Sequence, residues 1–320
     1  MIRLEHVTKR YEGGQAPAVE DLSMVIPRGE LVVLVGPSGC GKTTILKMIN
    51  RVIEPSSGTI YLDGAETSTF APHVLRRSIG YVIQRVGLFP HRTIADNIGT
   101  VPTLLGWDDD RIRRRVEELV ALMGLDSELL DRYPQALSGG QQQRAGVARA
   151  LAADPPVLLM DEPFGAVDPV VRTRLQGELL DLQQRLHKTI VLVTHDIDEA
   201  LRLGDRIAVF SEVGRIEQFA SPEELLARPA SPYVDEFLGA HRTLRRAGLL
   251  RLDAILCRKA MPADAVQPYQ DDAGLPRLAS SATVRDALDV LLAGKHQAVI
   301  VTSGDVTVHV AFDDLRAALE

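Results

Sequence analysis

The stretch LVVLVGPSGCGKTT, residues 31–44, determines the fold that this chain can adopt. It begins with five consecutive apolar residues, a run that is typical of a parallel strand buried on both faces. The run leads into the pattern Gly-x-x-x-x-Gly-Lys-Thr, whose glycines let backbone N–H groups turn toward a phosphate group. A purely structural glycine-rich turn is the alternative, but a strand, Lys42 and Thr43 are all in place. The stretch therefore predicts a nucleotide-binding α/β domain, and we call residues 36–44 the phosphate loop.

Two more apolar runs have the same character, VLLM at 157–160 and IVLV at 190–193. The first is followed by Asp161-Glu162 and the second by Thr194-His195, while Gln84 ends a shorter run, YVIQ. Open parallel sheets bind ligands beyond the carboxyl ends of their strands. We therefore expect these polar residues to share one site with the phosphate loop.

The phosphate side of this site is predicted from three residues. Lys42 would contact the β- and γ-phosphates, and the Thr43 hydroxyl would ligate Mg²⁺. Asp161 ends a buried strand, which suits it to hold the same ion directly or through water.

The residues that act on water are predicted from the same strand ends. Glu162, beside the metal, is the candidate general base. His195 would donate to the γ-phosphate as a neutral imidazole, and Gln84 would ligate Mg²⁺ or position the water. Taken alone, each has a structural alternative: an acidic strand end, a structural histidine or an uninformative glutamine.

Composition places the chain among ordinary globular proteins and argues against a nucleic-acid partner. Hydrophobic residues make up 45% of the 320 residues and charged residues 25%. Acidic residues outnumber basic ones, 43 to 36, whereas binding to a nucleic acid needs a concentrated basic face. The N-terminus lacks the apolar core of a signal peptide, and no apolar run is long enough to cross a bilayer. Cys40 and Cys257 show no metal-type spacing, and two thiols make no disulfide framework. These sequence features together predict a cytosolic protein.

The remaining segments predict the other parts of the fold. Residues 1–62 alternate apolar and polar side chains in short runs, which predicts antiparallel strands. Residues 88–155 predict a helical subdomain, and SPEELLAR at 221–228 predicts a helix start. The composition changes near residue 240, so we predict a linker over 241–255 and a small α/β module over 256–320.

A second glycine-rich stretch, LSGGQQQR at 137–144, identifies the resemblance. Ser138 is typical of a helix N-cap, but a plain cap does not need the Gly pair that follows. The stretch resembles the signature of ATP-binding cassette (ABC) ATPases, and the phosphate loop, Gln84, Asp161-Glu162 and His195 follow in that family's order. The resemblance covers residues 1–240.

The resemblance implies an ATP hydrolase that works with Mg²⁺ as a head-to-tail dimer of two copies. Each ATP would lie between the phosphate loop of one copy and the signature of the other. Tyr11 would stack on adenine, and the turn at 165–168 would cross the dimer interface, with Val167 where the family usually has Leu. The resemblance thus implies that the residues contacting the nucleotide are Tyr11, Gly36, Pro37, Ser38, Gly39, Cys40, Gly41, Lys42, Thr43, Thr44, Ser138, Gly139, Gly140, Gln141 and Asp168.

Within the family, the chain is similar to ATPase subunits of quaternary-amine importers, for glycine betaine, choline or carnitine. Residues 47–64, 76–98 and 160–172 carry this similarity. It implies transmembrane permease subunits as partners, an extracytoplasmic solute-binding protein as an indirect partner, and a place on the cytoplasmic face of the membrane. Arg85, where the family usually has Gln, falls in the segment that contacts the permease. An importer for another solute, such as a thiol-containing betaine or an amino acid, and an ABC ATPase unconnected with transport are the alternatives.

The tail at 281–320 is similar to one cystathionine-β-synthase-type (CBS) motif. TVRDALDVLLAG predicts a helix, QAVIVT and VTVHV two strands around an SGD turn, and FDDLRAAL a second helix. The usual Gly before the last helix is absent, and Ala311 stands where a nucleotide-contacting Ser or Thr is usual. A regulatory module and a packing domain that binds no ligand both remain open.

Overall fold

The chain divides into two compact units, Met1–Ser221 and Pro222–Glu320. The computed structural model describes residues 1–13, 16–84, 87–165, 167–239, 241–259, 274–294, 296–303 and 306–319. Arg85 and the Gly-Asp of the SGD turn lie outside the described residues, so the predictions for them stay predictions.

The described residues form strands in three sheets. The strands are β1 (Ile2–Lys9), β2 (Val19–Ile26), β3 (Leu31–Val35), β4 (Ser57–Leu62), β5 (Ala65–Glu66), β6 (Ile79–Val82), β7 (Val157–Asp161), β8 (Thr189–Thr194), β9 (Arg206–Phe210), β10 (Ile216–Ala220), β11 (Arg277–Ala279), β12 (Ala298–Ser303) and β13 (Val306–Ala311).

The α-helices lie between and after these strands. They are α1 (Lys42–Ile49), α2 (Pro72–Arg77), α3 (Ile94–Leu104), α4 (Asp109–Leu122), α5 (Gly139–Leu151), α6 (Pro169–Leu186), α7 (Ile197–Leu203), α8 (Pro222–Ala227), α9 (Pro232–Leu238), α10 (Arg242–Leu249), α11 (Leu252–Lys259), α12 (Val284–Gly294) and α13 (Phe312–Leu319).

The central sheet of the first unit has the strand order β10-β9-β3-β8-β7-β6. Its neighbouring pairs are parallel, except that β10 runs antiparallel to β9. Every residue of β3, β7 and β8 is buried, which explains why their sequences are continuous apolar runs. The prediction of a parallel-sheet core is confirmed.

The predicted antiparallel strands of the N-terminal region are also present. They form a second sheet of order β2-β1-β4-β5, and the alternation of its side chains is that of a half-buried sheet. Ile2, Leu4, Met24 and Ile60 point into the main apolar cluster, which they share with residues of the central sheet.

The predicted helical segment contains α3, α4 and α5. On α4, Val116, Leu119 and Val120 are buried, so one apolar face of this helix packs against the rest of the subdomain. Within the described residues, no helix is both long and apolar enough to cross a membrane.

The C-terminal unit has a sheet of order β11-β12-β13 and its own apolar cluster. The order helix, strand, strand, helix of α12, β12, β13 and α13 is the predicted one. Whether the module is of CBS type stays a prediction.

The predicted linker at 241–255 needs correction. Most of this segment is helical, in α10 and the start of α11. Ala247, Leu252 and Ile255 are buried in the C-terminal cluster, so the segment is part of a core rather than an extended connection. The boundary between the two compact units falls between residues 221 and 222, before the predicted boundary at 240. The extent of the ABC domain stays a prediction.

Candidate nucleotide site

The site lies at one edge of the central sheet, because four parallel strands end there. β3 leads into the phosphate loop, β7 ends in Asp161, and β8 is followed by His195. β6 ends two residues before Gln84. In the sheet, β8 lies between β3 and β7, so residues distant in sequence become neighbours.

Two glycines of the phosphate loop have backbone angles that other residues rarely adopt. Gly39 and Gly41 have φ angles of 87° and 94°, in the left-handed region that residues with a Cβ rarely adopt. A Cβ on Gly41 would also lie 2.1 Å from the carbonyl oxygen of Ala18, whereas Gly39 has open space around it. The loop thus combines one glycine enclosed by backbone with one that leaves the loop accessible to a ligand.

Lys42 lies under this loop, with 5% of its surface exposed. Its Nζ donates hydrogen bonds to the carbonyl oxygens of Gly36 (2.8 Å) and Pro37 (2.7 Å), and it lies 3.4 Å from Cys40 Sγ. A buried ammonium group is therefore held at the centre of the loop, where a phosphate oxygen could replace a carbonyl as its partner.

Thr43 and Asp161 form the next layer of the site. The Thr43 hydroxyl donates to Asp161 Oδ1 over 2.8 Å, and the carboxyl group is buried. Burial raises the pKa of Asp161, and the hydrogen bond from Thr43 opposes that shift. A hydroxyl beside a carboxylate is a donor set of the kind that Mg²⁺ prefers, so these residues fit the predicted ion.

Glu162 lies between two other predicted catalytic residues. Gln84 Nε2 donates to Glu162 Oε2 over 2.9 Å, and His195 Nδ1 lies 3.3 Å from Glu162 Oε1. The Glu162 backbone has a φ of 45°, and its N–H donates to the carbonyl oxygen of Val193 on β8. Strained backbone of this kind occurs at sites where a side chain must point in one direction.

Tyr11 lies beside the start of α1. Its hydroxyl is 3.3 Å from Thr44 Oγ1, and Lys9 Nζ lies 5.5 Å from the centre of its ring. The ring is 48% exposed, which leaves it accessible for stacking against a planar base.

The signature lines a cleft of its own chain at the start of α5. Ser138 caps α5 through a capping box, in which Gln141 N–H donates to Ser138 Oγ and Ser138 N–H donates to Gln141 Oε1. Ser138, Gly139, Gly140 and Gln141 line a cleft of about 930 Å³ together with Asp168.

The structure describes every residue of the phosphate loop, and none of them lines that cleft. Asp168 caps α6 by accepting from Val170 N–H over 3.0 Å, and Gln84 lines the same cleft. One chain therefore brings Lys42, Thr43, Asp161, Glu162, Gln84 and His195 to the sheet edge. The signature and Asp168 line a cleft that shares Gln84 with this group but no residue of the phosphate loop.

Two charged residues near His195 were not predicted from the sequence. Arg172 on α6 contacts the turn before that helix, and Glu199 on α7 contacts the end of β8. The sequence signal for Glu199 was a carboxyl residue five positions after the buried Thr194. Its burial depends on the packing of α7, which the local pattern does not reveal.

Comparison with known proteins gives a family match over part of the first unit. The profile described as "ABC transporter" matches residues 19–165, which include the phosphate loop, the signature and Asp161-Glu162.

Curated relatives match a larger part of the chain. "Osmoprotectant import ATP-binding protein OsmV" of Salmonella typhimurium is 58% identical over 250 residues, covering 77% of this chain and 65% of OsmV. "Glycine betaine/carnitine/choline transport ATP-binding protein OpuCA" of Bacillus subtilis is 52% identical, covering 81% and 68%. "Glycine betaine uptake system ATP-binding protein YehX" of Escherichia coli is 48% identical over 293 residues, covering 92% and 91%. The chain thus spans about two thirds of the length of OsmV and OpuCA and most of YehX.

Solved structures show the same fold. The "Dimeric Structure of MJ0796, a Bacterial ABC Transporter Cassette" is 35% identical, with a TM-score of 0.63, covering 69% of this chain and 99% of that one. A second structure of MJ0796 is described as a dimeric post-hydrolysis state bound to ADP and Pi, with 34% identity, a TM-score of 0.63 and the same coverage.

Proposed function

The chain belongs to the ABC transporter family of ATPases, and on that premise we propose that it powers the import of a quaternary-amine osmoprotectant. The observation that carries the proposal is the contact of Glu162 with both Gln84 and His195, beside the Thr43–Asp161 pair. A candidate base, its positioning groups and a metal-binding pair lie together where a phosphate loop ends.

In this proposal, Glu162 takes a proton from the water that attacks the γ-phosphate of ATP. Gln84 and His195 contact its carboxylate from two sides, which fixes the orientation of the oxygen atoms that accept the proton. Lys42 exchanges a loop carbonyl for a phosphate oxygen and stabilises the charge of the phosphoryl group in transfer. Thr43, Asp161 and Gln84 would hold Mg²⁺, which when bound neutralises phosphate charge.

The site is completed by a second copy of the chain. Ser138 at the start of α5 and Asp168 at the start of α6 offer backbone N–H groups and a carboxylate on a separate cleft. A head-to-tail dimer would place the signature of one copy against the ATP held by the other. The MJ0796 cassette, whose structure is described as dimeric, supports the pairing of two copies.

The transported solute and the partners are proposed from the relatives. OsmV is described as an osmoprotectant import protein and YehX as part of a glycine betaine uptake system. We infer glycine betaine, choline or carnitine as the solute class. The chain would act on the cytoplasmic face of the membrane, bound to permease subunits that receive solute from a binding protein outside.

A reconstituted complex tests the proposal. The chain, its permease and its binding protein are placed in liposomes with internal Mg-ATP, and uptake of labelled glycine betaine, choline and carnitine is measured beside a thiol-containing betaine and an amino acid. We expect ATP-dependent uptake of a quaternary amine, with Glu162→Gln reducing hydrolysis about 10²–10⁴-fold because only the base is removed. Glu212→Gln, in an exposed turn, is the matched control and should keep full activity.

Uptake of only the amino acid or the thiol-containing compound would change the substrate class. Near wild-type hydrolysis by Glu162→Gln would remove Glu162 from the role of base.

A further inference from the structure

Arg172 connects the turn before α6 with the residue that follows His195. Its Nη2 donates to the carbonyl oxygen of Val167 over 3.2 Å, and its Nη1 lies 3.8 Å from Asp196 Oδ2. Its Nε is buried and has no hydrogen-bond partner among the described residues. The guanidinium group is therefore only partly satisfied in this conformation.

Glu199 fixes the other side of the same region. Its side chain is buried, with 6% of the residue exposed, and Oε2 accepts from the Thr194 hydroxyl over 3.0 Å. Thr194 Oγ1 in turn accepts from Asp196 N–H over 3.1 Å, so this chain of bonds spans His195. Glu199 Oε1 is buried and, like Arg172 Nε, has no partner within the described part of the chain.

The two unsatisfied atoms belong to groups of opposite charge on successive helices. Leaving a buried polar atom unpaired costs about 1–3 kcal/mol, so a movement that pairs the two atoms would be favourable. Burial raises the pKa of Glu199, and the positive charge of Arg172 opposes part of that shift. A second conformation could therefore join Arg172 Nε to Glu199 Oε1.

We propose that Arg172 and Glu199 are a positioning pair that transmits movement of the turn at residues 165–168 to His195. This rests on the proposed function, in which that turn meets the second copy when the dimer closes. When Val167 moves, its hydrogen bond with Arg172 displaces the guanidinium group. The approach of Arg172 to Glu199 and Asp196 then fixes residues 194–196. His195, which already lies 3.3 Å from Glu162 in the single chain, is thereby held in that position when the partner is present.

Steady-state hydrolysis by the purified full chain is the first test. The variants are Arg172→Ala, Arg172→Lys, Glu199→Gln and the double variant Arg172→Ala/Glu199→Gln. Arg185→Ala is the matched control, because Arg185 lies on the exposed side of the same helix.

We expect Arg172→Ala to lower kcat about 10- to 100-fold with KM for ATP changed less than about threefold, because positioning rather than binding is lost. Arg172→Lys should recover part of that loss, and Arg185→Ala should match the wild type. The double variant should be no slower than Arg172→Ala, because the pair acts as a unit. Multiplied losses in the double variant, or an unchanged kcat in Arg172→Ala, would overturn the pair.

Hydrogen exchange without nucleotide separates this inference from the proposed function. Arg172→Ala should speed amide exchange in peptides covering 163–172 and also in those covering 194–203, with other peptides of the first unit unchanged. Faster exchange spread over the whole unit, or confined to 163–172, contradicts the link. If the wild-type chain hydrolyses no ATP, the proposed function fails, and exchange at 194–203 alone decides whether the pair is coupled.

Discussion

Glu199 ties the stability of the first unit to pH. Burial raises the pKa of its carboxyl group from the ordinary value of 4.5 to about 7, and the hydrogen bond from Thr194 opposes part of that shift. Between these two values the folded chain holds a proton that the unfolded chain has released. The stability contributed by protonated Glu199 is therefore fully present below about pH 4.5 and is lost as the pH rises through about 7.

Glu199→Gln should remove this dependence, because an amide has the shape of the protonated carboxyl group and does not ionise. We expect the variant to match the wild type near pH 5 and to exceed it at pH 8 by on the order of 2–3 kcal/mol in the free energy of unfolding. Denaturant titrations at both pH values measure the difference. Equal stability of the two proteins at pH 8 would show that the carboxyl group ionises there without cost.

Cys40 is the residue where the structure changes an expectation drawn from sequence. A thiol beside Lys42 in a phosphate loop suggests ready modification, but the side chain is 1% exposed. We expect N-ethylmaleimide to inactivate the chain at least about tenfold more slowly than it modifies an exposed thiol, because reaction requires the loop to open.

ATP should slow the inactivation of the wild type further, and Cys40→Ser should be resistant. Inactivation of Cys40→Ser at the wild-type rate would assign the effect to Cys257.

Helix α11 contributes Leu252 to the core of the C-terminal unit, where it is fully buried. Leu252→Ala should therefore lower the stability of that unit by about 2–4 kcal/mol, because it removes buried methyl groups and leaves a cavity. Leu292 on α12 is 69% exposed, so Leu292→Ala is the matched control and should cost little.

Scanning calorimetry with parallel ATPase assays checks the effect. Hydrolysis should be retained in both variants, since every residue of the candidate site precedes residue 200. A Leu252→Ala protein as stable as Leu292→Ala would return residues 241–255 to the role of a linker.

The strands of the central sheet could be predicted from sequence because burial on both faces leaves little choice of residue. β3, β7 and β8 read as unbroken apolar runs, and each delivers a polar residue at its end. The helix α10 could not be predicted in this way. It has three arginines in eight residues and buries only Ala247, so it has no large buried apolar residue that would mark a core helix.

The candidate site shows the same division. Lys42 and Thr43 could be predicted from the phosphate-loop pattern, and Asp161, Glu162 and His195 from the ends of strands whose direction is fixed. Arg172 and Glu199 act through contacts between α6, α7 and two turns, which depend on packing angles rather than local sequence. Residues of this kind become visible only once the helices are placed.

The separation of the signature from the phosphate loop predicts how two copies must cooperate. Lys42→Ala destroys the phosphate loop of its own chain, and Ser138→Arg destroys the signature offered to the partner. A dimer with one variant of each kind combines both lesions in one site and leaves the other site intact. A dimer carrying both lesions on one chain spoils both sites, each by one lesion.

Purified mixed dimers distinguish the two arrangements by their ATPase activity. We expect the first to keep up to about half of the wild-type activity and the second to lose at least about tenfold, because a lost donor or phosphate contact costs that much. The activity of the isolated chain should also fall more than in proportion on dilution. Equal losses in both arrangements would contradict sites shared between copies.

The position of β8 between β3 and β7 also has a consequence for synthesis of the chain on the ribosome. β3 and β7 are made first, yet they cannot pair with each other in the finished sheet, because the strand that separates them follows almost thirty residues after β7. Until residue 194 has emerged, two buried-type strands therefore carry unpaired edges, which makes the nascent chain prone to aggregation. The same late strand brings His195 to Glu162, so the catalytic residues that one chain contributes come together when β8 joins β3 to β7.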